Sequence, residues 1–222
     1  MKRGKKAGGV VLAVMLALMP VRVLGGGADT TAGEIEVTAR AAALALMPVR
    51  VLGGGADAAA GEIEVTARAA VAMEAETGRV LYEKNADEVL PMASTTKVMT
   101  ALVVLENAEL DDRVEIDGRM AGIEGSSMNL DAGEELTVEQ LLYGLMLRSG
   151  NDAAVALAIH VAGSVEGFAE KMNAKAAEMG LMHTHFCNPH GLPAQGHETT
   201  ARELARIAAE AWKHEEFRRI VG

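Results

Sequence analysis

Residues 91–107 constrain the fold of this chain more than any other stretch. They read PMASTTKVMTALVVLEN, and from Val98 onward the apolar residues recur at the spacing of an α-helix. We predict a helix that opens at Ser94 and runs to about Asn107. Its apolar positions need partners to cover them, so the rest of the domain is expected to be built around it.

Two polar side chains at the start of this helix stand at a spacing that favours chemistry. Ser94 and Lys97 are three residues apart, so a helix places them on one face. Burial among apolar neighbours lowers the pKa of an amine, and a neutral amine can take the proton of a nearby hydroxyl and make it a nucleophile. The alternative is that Ser94 is only the N-cap of the helix, a position at which Ser is common.

A second polar group, Ser149-Gly150-Asn151, lies between two apolar helical patterns. Here the Ser149 hydroxyl could relay a proton and the Asn151 amide could bond a peptide carbonyl, while Gly150 lets a ligand approach the backbone. The alternative is a helix-to-helix turn in which Asn151 is an N-cap and no function is needed.

Composition narrows the classes of partner and cofactor. The formal net charge is -10 and no basic run occurs outside the first six residues, which argues against nucleic acid as a partner. Cys187 is the single cysteine, so an intramolecular disulfide is excluded, and we interpret it as a small core residue rather than a reactive thiol. No Cys/His cluster has metal-ligand spacing, and we expect neither a metal nor a cofactor.

Residues 1–28 are predicted to be a secretory signal peptide. Four basic residues among the first six precede an apolar run at 10–19, which is too short for a comfortable membrane span. Small residues at 25–28 then offer a cleavage site. The alternative is a short membrane anchor that is retained. Either way, the domain is expected to lie outside the cytoplasm.

A 27-residue segment is duplicated near the N-terminus. Residues 16–42 and 44–70 differ only at two positions, where Thr-Thr becomes Ala-Ala. Solenoid folds need three or more repeats, so we interpret the copy as a recent duplication or a sequence artefact. Residues 29–60 are predicted to be poorly packed, and the domain is predicted to span 61–222.

The domain begins with strands and continues with helices. Alternating apolar residues around a Glu-Thr-Gly turn predict a β-hairpin at 68–83, and a short strand is predicted at 114–116. Capping-box patterns, apolar runs and a glycine stop predict further helices at 137–146, 152–161, 165–179 and 200–212. These elements make a helical cluster after a hairpin, with too few strands for a full sheet.

Taken together, the two polar motifs resemble those of a known family. Ser94-x-x-Lys97 followed by Ser149-Gly-Asn151 resembles the first two signatures of the serine D-alanyl-D-alanine carboxypeptidases, the low-molecular-mass penicillin-binding proteins of peptidase family S11. The flanking segments MASTTKVMTALVVLE, GSSMNL, LTVEQLLYGLMLRSGNDAA and THFCNPHGL also look like that family. The resemblance covers about 160 residues, from near Glu62 to the last residue.

The resemblance implies an α/β (α+β) penicillin-binding fold of the β-lactamase/transpeptidase type, with an antiparallel sheet and helices on both faces. The family's third signature, Lys-Thr-Gly on a late strand, does not occur in the sequence. We therefore expect this chain to supply the hairpin and helical part of the domain, with the late strands missing through truncation.

The same resemblance implies removal of the terminal D-Ala from peptidoglycan stem pentapeptides, with β-lactam antibiotics as covalent inhibitors and no cofactor. Ser94 is expected to be the nucleophile, Lys97 the general base, Ser149 the proton relay and Asn151 the group that holds the substrate amide. The implied location is the cell envelope, with membrane association through the N-terminal segment or a missing C-terminal anchor.

Two alternatives stay open at this point. The missing Lys-Thr-Gly favours an inactive envelope protein that keeps the helical half of the fold as a binding module. A class A-like β-lactamase fits less well, because Asp152 follows Asn151 and no Glu-x-x-Leu-Asn motif occurs.

Overall fold

The computed structural model describes Val65, residues 67–222 and the backbone of two strands nearer the N-terminus. Within this part of the chain, helices combine with strands that pair antiparallel in three separate sheets. This architecture confirms the predicted α/β class.

Four strands form the largest sheet, and they are β1 (Val11–Leu16), β2 (Met47–Val49), β3 (Ala69–Glu74) and β4 (Val80–Lys84). Their order is β2-β1-β3-β4, and all neighbours are antiparallel. The pair β3–β4 is the hairpin predicted at 68–83. Gly78 in its turn has a φ of 71°, a left-handed conformation that glycine adopts without strain.

Strands β1 and β2 fall inside the two segments that were set apart from the domain. β1 pairs with β3 in the register Val11↔Glu74 to Leu16↔Ala69. The rest of the predicted signal peptide at 1–28 and of the predicted poorly packed segment at 29–60 lies outside the described residues. Both therefore stay predictions.

The helices follow a short 3₁₀ turn at Ala93–Thr96. In chain order they are α1 (Lys97–Leu105), α2 (Val138–Leu147), α3 (Asn151–Ala162), α4 (Val165–Glu178), α5 (Ala201–Ala211) and α6 (Glu215–Val221). The first five match predicted helices to within a few residues. The sequence pattern did not predict α6.

Helix α1 is the centre of the core, as its apolar pattern predicts. Val98, Met99 and Leu102 have no exposed surface, and α1 packs against each of the other five helices. Helix α5 lies against both α1 and the strands β1 and β3, so it joins the helical layer to the sheet. The start of α1 is therefore held from several sides.

Two small sheets complete the fold. Strand β5 (Leu90–Pro91) pairs with β8 (Glu198–Thr199), and β6 (Arg113–Glu115) pairs with β7 (Glu135–Thr137). Of these strands, the sequence predicted only β6. The pairing of β5 with β8 matters most, because β5 leads directly into the 3₁₀ turn that carries Ser94.

Side-chain caps start two helices where the sequence places them. At α2 the Thr137 hydroxyl accepts the backbone N–H of Gln140 at 3.1 Å, and the Gln140 side chain accepts the Thr137 N–H at 2.8 Å, a complete capping box. At α5 the Thr200 hydroxyl caps Glu203 N–H at 3.1 Å. The Glu203 carboxylate does not return to Thr200 but accepts the N–H of Met182 at 2.8 Å, so only half of that predicted box forms.

Helix α3 is buried along most of its length, as its Ala-rich sequence predicts. It ends at Gly163, whose φ is 77°. Within the described part of the chain, no single helix is long and apolar enough to cross a membrane, although α3 and α4 together, bent by 82°, pass on length and composition alone.

Candidate active site

Ser94 lies inside the 3₁₀ turn, not at the N-cap of an α-helix. Met92 occupies the cap position of the turn and Thr96 that of α1, so the prediction that the α-helix opens at Ser94 is wrong by three residues. The alternative that Ser94 is only a cap is excluded as well. In a 3₁₀ turn, residues i and i+3 are eclipsed, which places Ser94 and Lys97 directly one above the other.

The Lys97 ammonium nitrogen is the centre of the site. The residue is 2% exposed, and its Nζ lies 2.8 Å from Asn151 Oδ1, 2.7 Å from the His190 carbonyl oxygen and 3.4 Å from Ser94 Oγ. The predicted proximity of Ser94 and Lys97 is thus confirmed. The structure also adds a contact from a loop to which the sequence pattern assigned no part in the site.

These contacts decide where the lone pair of a neutral Lys97 would point. The oxygens of Asn151 and His190 only accept hydrogen bonds, so they hold two N–H groups of the amine. The remaining tetrahedral direction faces Ser94 Oγ. Burial lowers the pKa of Lys97 to about 8, while the negative charge of Asp152 acts in the opposite direction. A deprotonated Lys97 is therefore aimed at the Ser94 hydroxyl.

Asn151 fixes Lys97 rather than capping a helix. It is the first residue of α3, whose N-cap is Gly150, so the N-cap alternative for Asn151 is not observed. Its Oδ1 accepts from Lys97, and its Nδ2 donates to the Glu124 carbonyl at 2.6 Å. One amide hydrogen of Nδ2 remains after this bond. A Cβ on Gly125 would lie 2.7 Å from Nδ2, so this side chain fits only because residue 125 is glycine.

Ser149 lies two residues before Asn151, in the short connection between α2 and α3. It adopts a φ of 55°, a conformation that is strained for a residue with a side chain. Among the described residues, its Oγ is the one buried side-chain polar atom without a hydrogen-bond partner. Buried hydroxyls are normally bonded, and exceptions concentrate at functional sites.

Asp152 ties the neighbouring loop, residues 124–130, to α3. The sequence pattern did not predict this role. Its carboxylate has no exposed surface and accepts the Ser127 hydroxyl at 2.5 Å and the backbone N–H groups of Met128 and Leu130 at 3.0 and 3.1 Å. Burial alone would raise the pKa of Asp152, but these hydrogen bonds outweigh it and hold the pKa below its usual value. The same loop supplies the Glu124 carbonyl that orients Asn151.

A second loop, residues 187–192, is held against α1. The Thr100 hydroxyl donates to the Pro189 carbonyl at 2.7 Å, next to the bond between Lys97 and His190. A Cβ on Gly191 would lie 1.9 Å from the Ala93 carbonyl oxygen, so only glycine lets the loop approach the 3₁₀ turn this closely. The NPHGL segment of this loop contributed to the family resemblance, but the sequence alone gave it no role in the site.

Cys187, at the start of this loop, differs from its interpretation as a small core residue, because it is only partly buried. Its Sγ lies 3.4 Å from the Gln195 carbonyl and 3.7 Å from His185 Nδ1. In the part of the chain for which side chains are described, no group of three His, Cys, Asp or Glu side chains could hold a metal ion.

The chain matches a known protein family. Residues 56–220 match the profile of the family Peptidase_S11, described as D-alanyl-D-alanine carboxypeptidase. This chain belongs to that family. The match spans every element of the site, from the 3₁₀ turn to the loop at 187–192, and the family resemblance drawn from the sequence is confirmed.

Curated relatives carry the same description. The chain is 43% identical over 157 residues to the D-alanyl-D-alanine carboxypeptidase DacF of Bacillus subtilis, covering 68% of this chain and 40% of the relative. It is 43% identical over 148 residues to DacC of Escherichia coli, covering 62% of this chain and 37% of the relative. The chain thus spans about two fifths of the length of these two relatives.

Solved structures of similar proteins share the fold. A mutant of the Streptomyces K15 DD-transpeptidase superposes with a TM-score of 0.66 at 39% identity, covering 69% of this chain and 64% of that one. The D-alanyl-D-alanine carboxypeptidase DacD of Francisella tularensis gives a TM-score of 0.69 at 34% identity, covering 76% and 42%. These neighbours confirm the transpeptidase-like, penicillin-binding type of fold.

Proposed function

We propose that this chain carries the nucleophile, base and relay of a serine D-alanyl-D-alanine carboxypeptidase that acts on peptidoglycan stem peptides. The observation that supports this most directly is the position of Lys97. Two carbonyl oxygens hold its N–H groups and the third direction faces Ser94 Oγ at 3.4 Å. That arrangement makes a general base beside a hydroxyl.

In the acylation step, Ser94 Oγ forms a bond to the carbonyl carbon between the two D-Ala residues while its proton passes to Lys97 Nζ. The carbon–nitrogen bond then breaks. Ser149, whose buried Oγ makes no hydrogen bond among the described residues, gives its proton to the leaving D-Ala amine and takes one back from Lys97, which restores the neutral base. Water afterwards hydrolyses the ester on Ser94, and no cofactor takes part.

Two groups are placed to hold the substrate in this step. The backbone N–H of Ser94, in the first turn of the helical segment, is one donor to the oxyanion that develops on the attacked carbonyl. Such a donor contributes about 3–4 kcal/mol of transition-state stabilisation. The second amide hydrogen of Asn151 is the donor we assign to a peptide carbonyl of the substrate.

The proposal also covers the cellular location, the substrates, the inhibitors and membrane association. S11 enzymes act on the cell wall in the periplasm or envelope, and we place this chain there as well, delivered by the predicted signal peptide at 1–28. Stem peptides ending in D-Ala-D-Ala are the proposed substrates, and β-lactams are the proposed covalent inhibitors. Membrane association, through the N-terminal segment or a C-terminal anchor, is part of the same hypothesis.

Labelling with a fluorescent penicillin tests the proposal, because covalent capture needs an activated Ser94. We expect the chain to be labelled, Ser94→Ala to abolish labelling, and Lys97→Ala to slow it severely. Ser164→Ala is the matched control, because this serine caps α4 beyond the other end of α3 and should not change labelling. Absence of labelling in the folded parent would favour the inactive binding module instead. Rapid turnover of a chromogenic cephalosporin would identify a β-lactamase.

A further inference from the structure

We propose that Thr96 and His197 are positioning residues that set the direction of the Ser94 backbone N–H. This inference rests on the proposed function, in which that N–H stabilises the oxyanion. Neither side chain is hydrogen-bonded to Lys97 Nζ, whose partners are Ser94, Asn151 and His190, and neither residue belongs to the Ser94, Lys97, Ser149 and Asn151 set. They are joined by a hydrogen bond of 2.7 Å between Thr96 Oγ1 and His197 Nε2, across 101 residues of sequence.

The direction of every hydrogen bond in this chain of contacts follows from chemistry. The backbone N–H of Cys187 can only donate, and it lies 3.0 Å from His197 Nδ1, so Nδ1 carries no proton. A neutral imidazole then bears its proton on Nε2, which donates to Thr96 Oγ1. The Thr96 hydroxyl must use its own proton elsewhere, and the Ala93 carbonyl oxygen, which can only accept, lies 2.6 Å away.

The end of this chain of contacts is the peptide group that contains the proposed oxyanion donor. The Ala93 carbonyl and the Ser94 N–H belong to one planar trans peptide, so they point in opposite directions. A hydrogen bond that fixes the Ala93 oxygen therefore also fixes where the Ser94 N–H points. The need for such a restraint is visible in the backbone, because Ala93 has a φ of 46°, a conformation that L-residues disfavour.

The fold delivers His197 to this peptide by strand register. In the pair β5–β8, Leu90 lies opposite Thr199 and Pro91 lies opposite Glu198. Continuing the antiparallel register by one residue brings His197 opposite Met92, the residue before Ala93. The same peptide group is covered on another side by Gly191, so it is restrained both through its oxygen and through its face.

The surroundings keep His197 in its neutral form. The residue is 4% exposed, and its ring meets Phe186 edge to face, with centroids 6.0 Å apart. Burial, with a smaller electrostatic contribution from His185, lowers the pKa of His197 to about 4. The relay of hydrogen bonds from Cys187 to Ala93 is therefore complete at neutral pH.

Paired substitutions separate this role from simple packing. Thr96→Val keeps the shape but removes the hydroxyl, and Thr96→Ser keeps the hydroxyl. His197→Asn keeps an acceptor for Cys187 but loses the group that reaches Thr96, and His197→Gln keeps a donor near the Nε2 position. The readout is the acylation rate constant with fluorescent penicillin, measured on protein shown to be folded by its thermal melt.

We expect Thr96→Val and His197→Asn each to slow acylation by about tenfold or more, somewhat less than the roughly 10²–10³-fold loss of a complete oxyanion donor. Thr96→Ser and His197→Gln should stay within about threefold of the parent. The double variant Thr96→Val/His197→Asn should be no slower than the worse single variant, because both act through one peptide group. Losses that simply multiply would overturn the shared mechanism.

A second measurement does not depend on activity. In amide NMR spectra, Thr96→Val should shift the Ser94 N–H signal and speed its hydrogen exchange, whereas Thr96→Ser should leave both close to the parent. If the parent is not acylated, the proposed function fails and this amide signal alone decides the inference. A folded Thr96→Val protein with an unchanged Ser94 signal would refute it.

Discussion

At the scale of single residues, the site depends on opposing influences on Lys97. Burial lowers its pKa to about 8, and the buried carboxylate of Asp152 works against that shift. In the proposed mechanism the neutral amine takes the Ser94 proton, so the fraction of chains competent for acylation should rise as Lys97 deprotonates.

This predicts the pH dependence of acylation. The rate constant should rise about tenfold per pH unit below pH 7, reach half of its maximum near pH 8 and level off above about pH 9. Asp152→Asn removes the charge that favours the ammonium form, so its midpoint should move to lower pH, with a lower plateau because the loop at 124–130 loses its anchor. Stopped-flow acylation from pH 5 to 9.5 measures both effects.

Asp131→Asn is the control for that experiment, because it removes an exposed carboxylate from the same loop region. Its profile should overlie that of the parent. A midpoint for Asp152→Asn at or above the parent's would contradict the electrostatic account of Lys97.

Residue spacing shows how far the sequence could predict the site. Ser94 and Lys97 are neighbours on one turn, so their contact follows from local geometry. The bond between Thr96 and His197 joins residues 101 positions apart, and the Lys97 contact with His190 spans 93. The hydrophobic period of a helix or strand cannot indicate contacts between residues so far apart in the sequence. The family resemblance placed the segments correctly, but it did not assign these partners.

At the scale of elements, the site consists of one helix start clamped between two loops. The 3₁₀ turn and the first turn of α1 supply Ser94 and Lys97, the loop at 124–130 orients Asn151, and the loop at 187–192 supplies the His190 carbonyl. The second loop depends on Gly191, because no side chain fits between it and Ala93.

Gly191→Ala should therefore both destabilise the fold and impair acylation. Its φ of 90° is unfavourable for alanine, and the new Cβ would lie 1.9 Å from the Ala93 oxygen. We expect a loss of about 2 kcal/mol or more in the free energy of unfolding, measured by urea titration, and a severe loss of penicillin labelling.

Gly196→Ala is a matched control for the backbone strain that a positive φ causes in alanine. Its φ is 80°, but a Cβ there would meet nothing closer than His185 Nδ1 at 3.9 Å. It should lose stability through strain alone and keep its labelling rate. Equal effects of the two substitutions would show that the contact with Ala93 is unimportant.

Elements with a strong local signal were the ones that could be located from the sequence. Thr137 and Gln140 form the capping box that their spacing predicts, and the hairpin β3–β4 follows its turn residues. The two-residue strands β5 and β8 are too short to show a hydrophobic period, so the sequence could not predict their pairing. Glu203 was assigned to a local box, but its carboxylate is used by a distant turn at Met182.

At the scale of the whole molecule, the stability of the fold is linked to two imidazoles, that of His197, which is buried, and that of His190, which is partly buried. Burial lowers the pKa values of His190 and His197 to about 4, below the ordinary value of 6.5. An unfolded chain binds protons to these groups between pH 6.5 and 4 and the folded chain does not. Stability should therefore fall as the pH is lowered through that window.

For His197, the loss between pH 7 and pH 4.5 should be about 2–3 kcal/mol. Urea unfolding curves of the parent and of His197→Gln are recorded at both pH values. The contribution of His197 is the difference between the two proteins in the stability that each loses on acidification. The variant should lose less stability on acidification than the parent. An equal loss in both proteins would mean that His197 is protonated in the folded state.

The long-range contacts of Lys97 also bear on the order of events during synthesis. Its partners Asn151 and His190 are made 54 and 93 residues later. Until they dock, Lys97 is solvated and keeps the pKa of an ordinary amine, so Ser94 is no more reactive than any surface serine. The nascent chain is thus expected to be insensitive to penicillin until the segment containing His190 has emerged and folded.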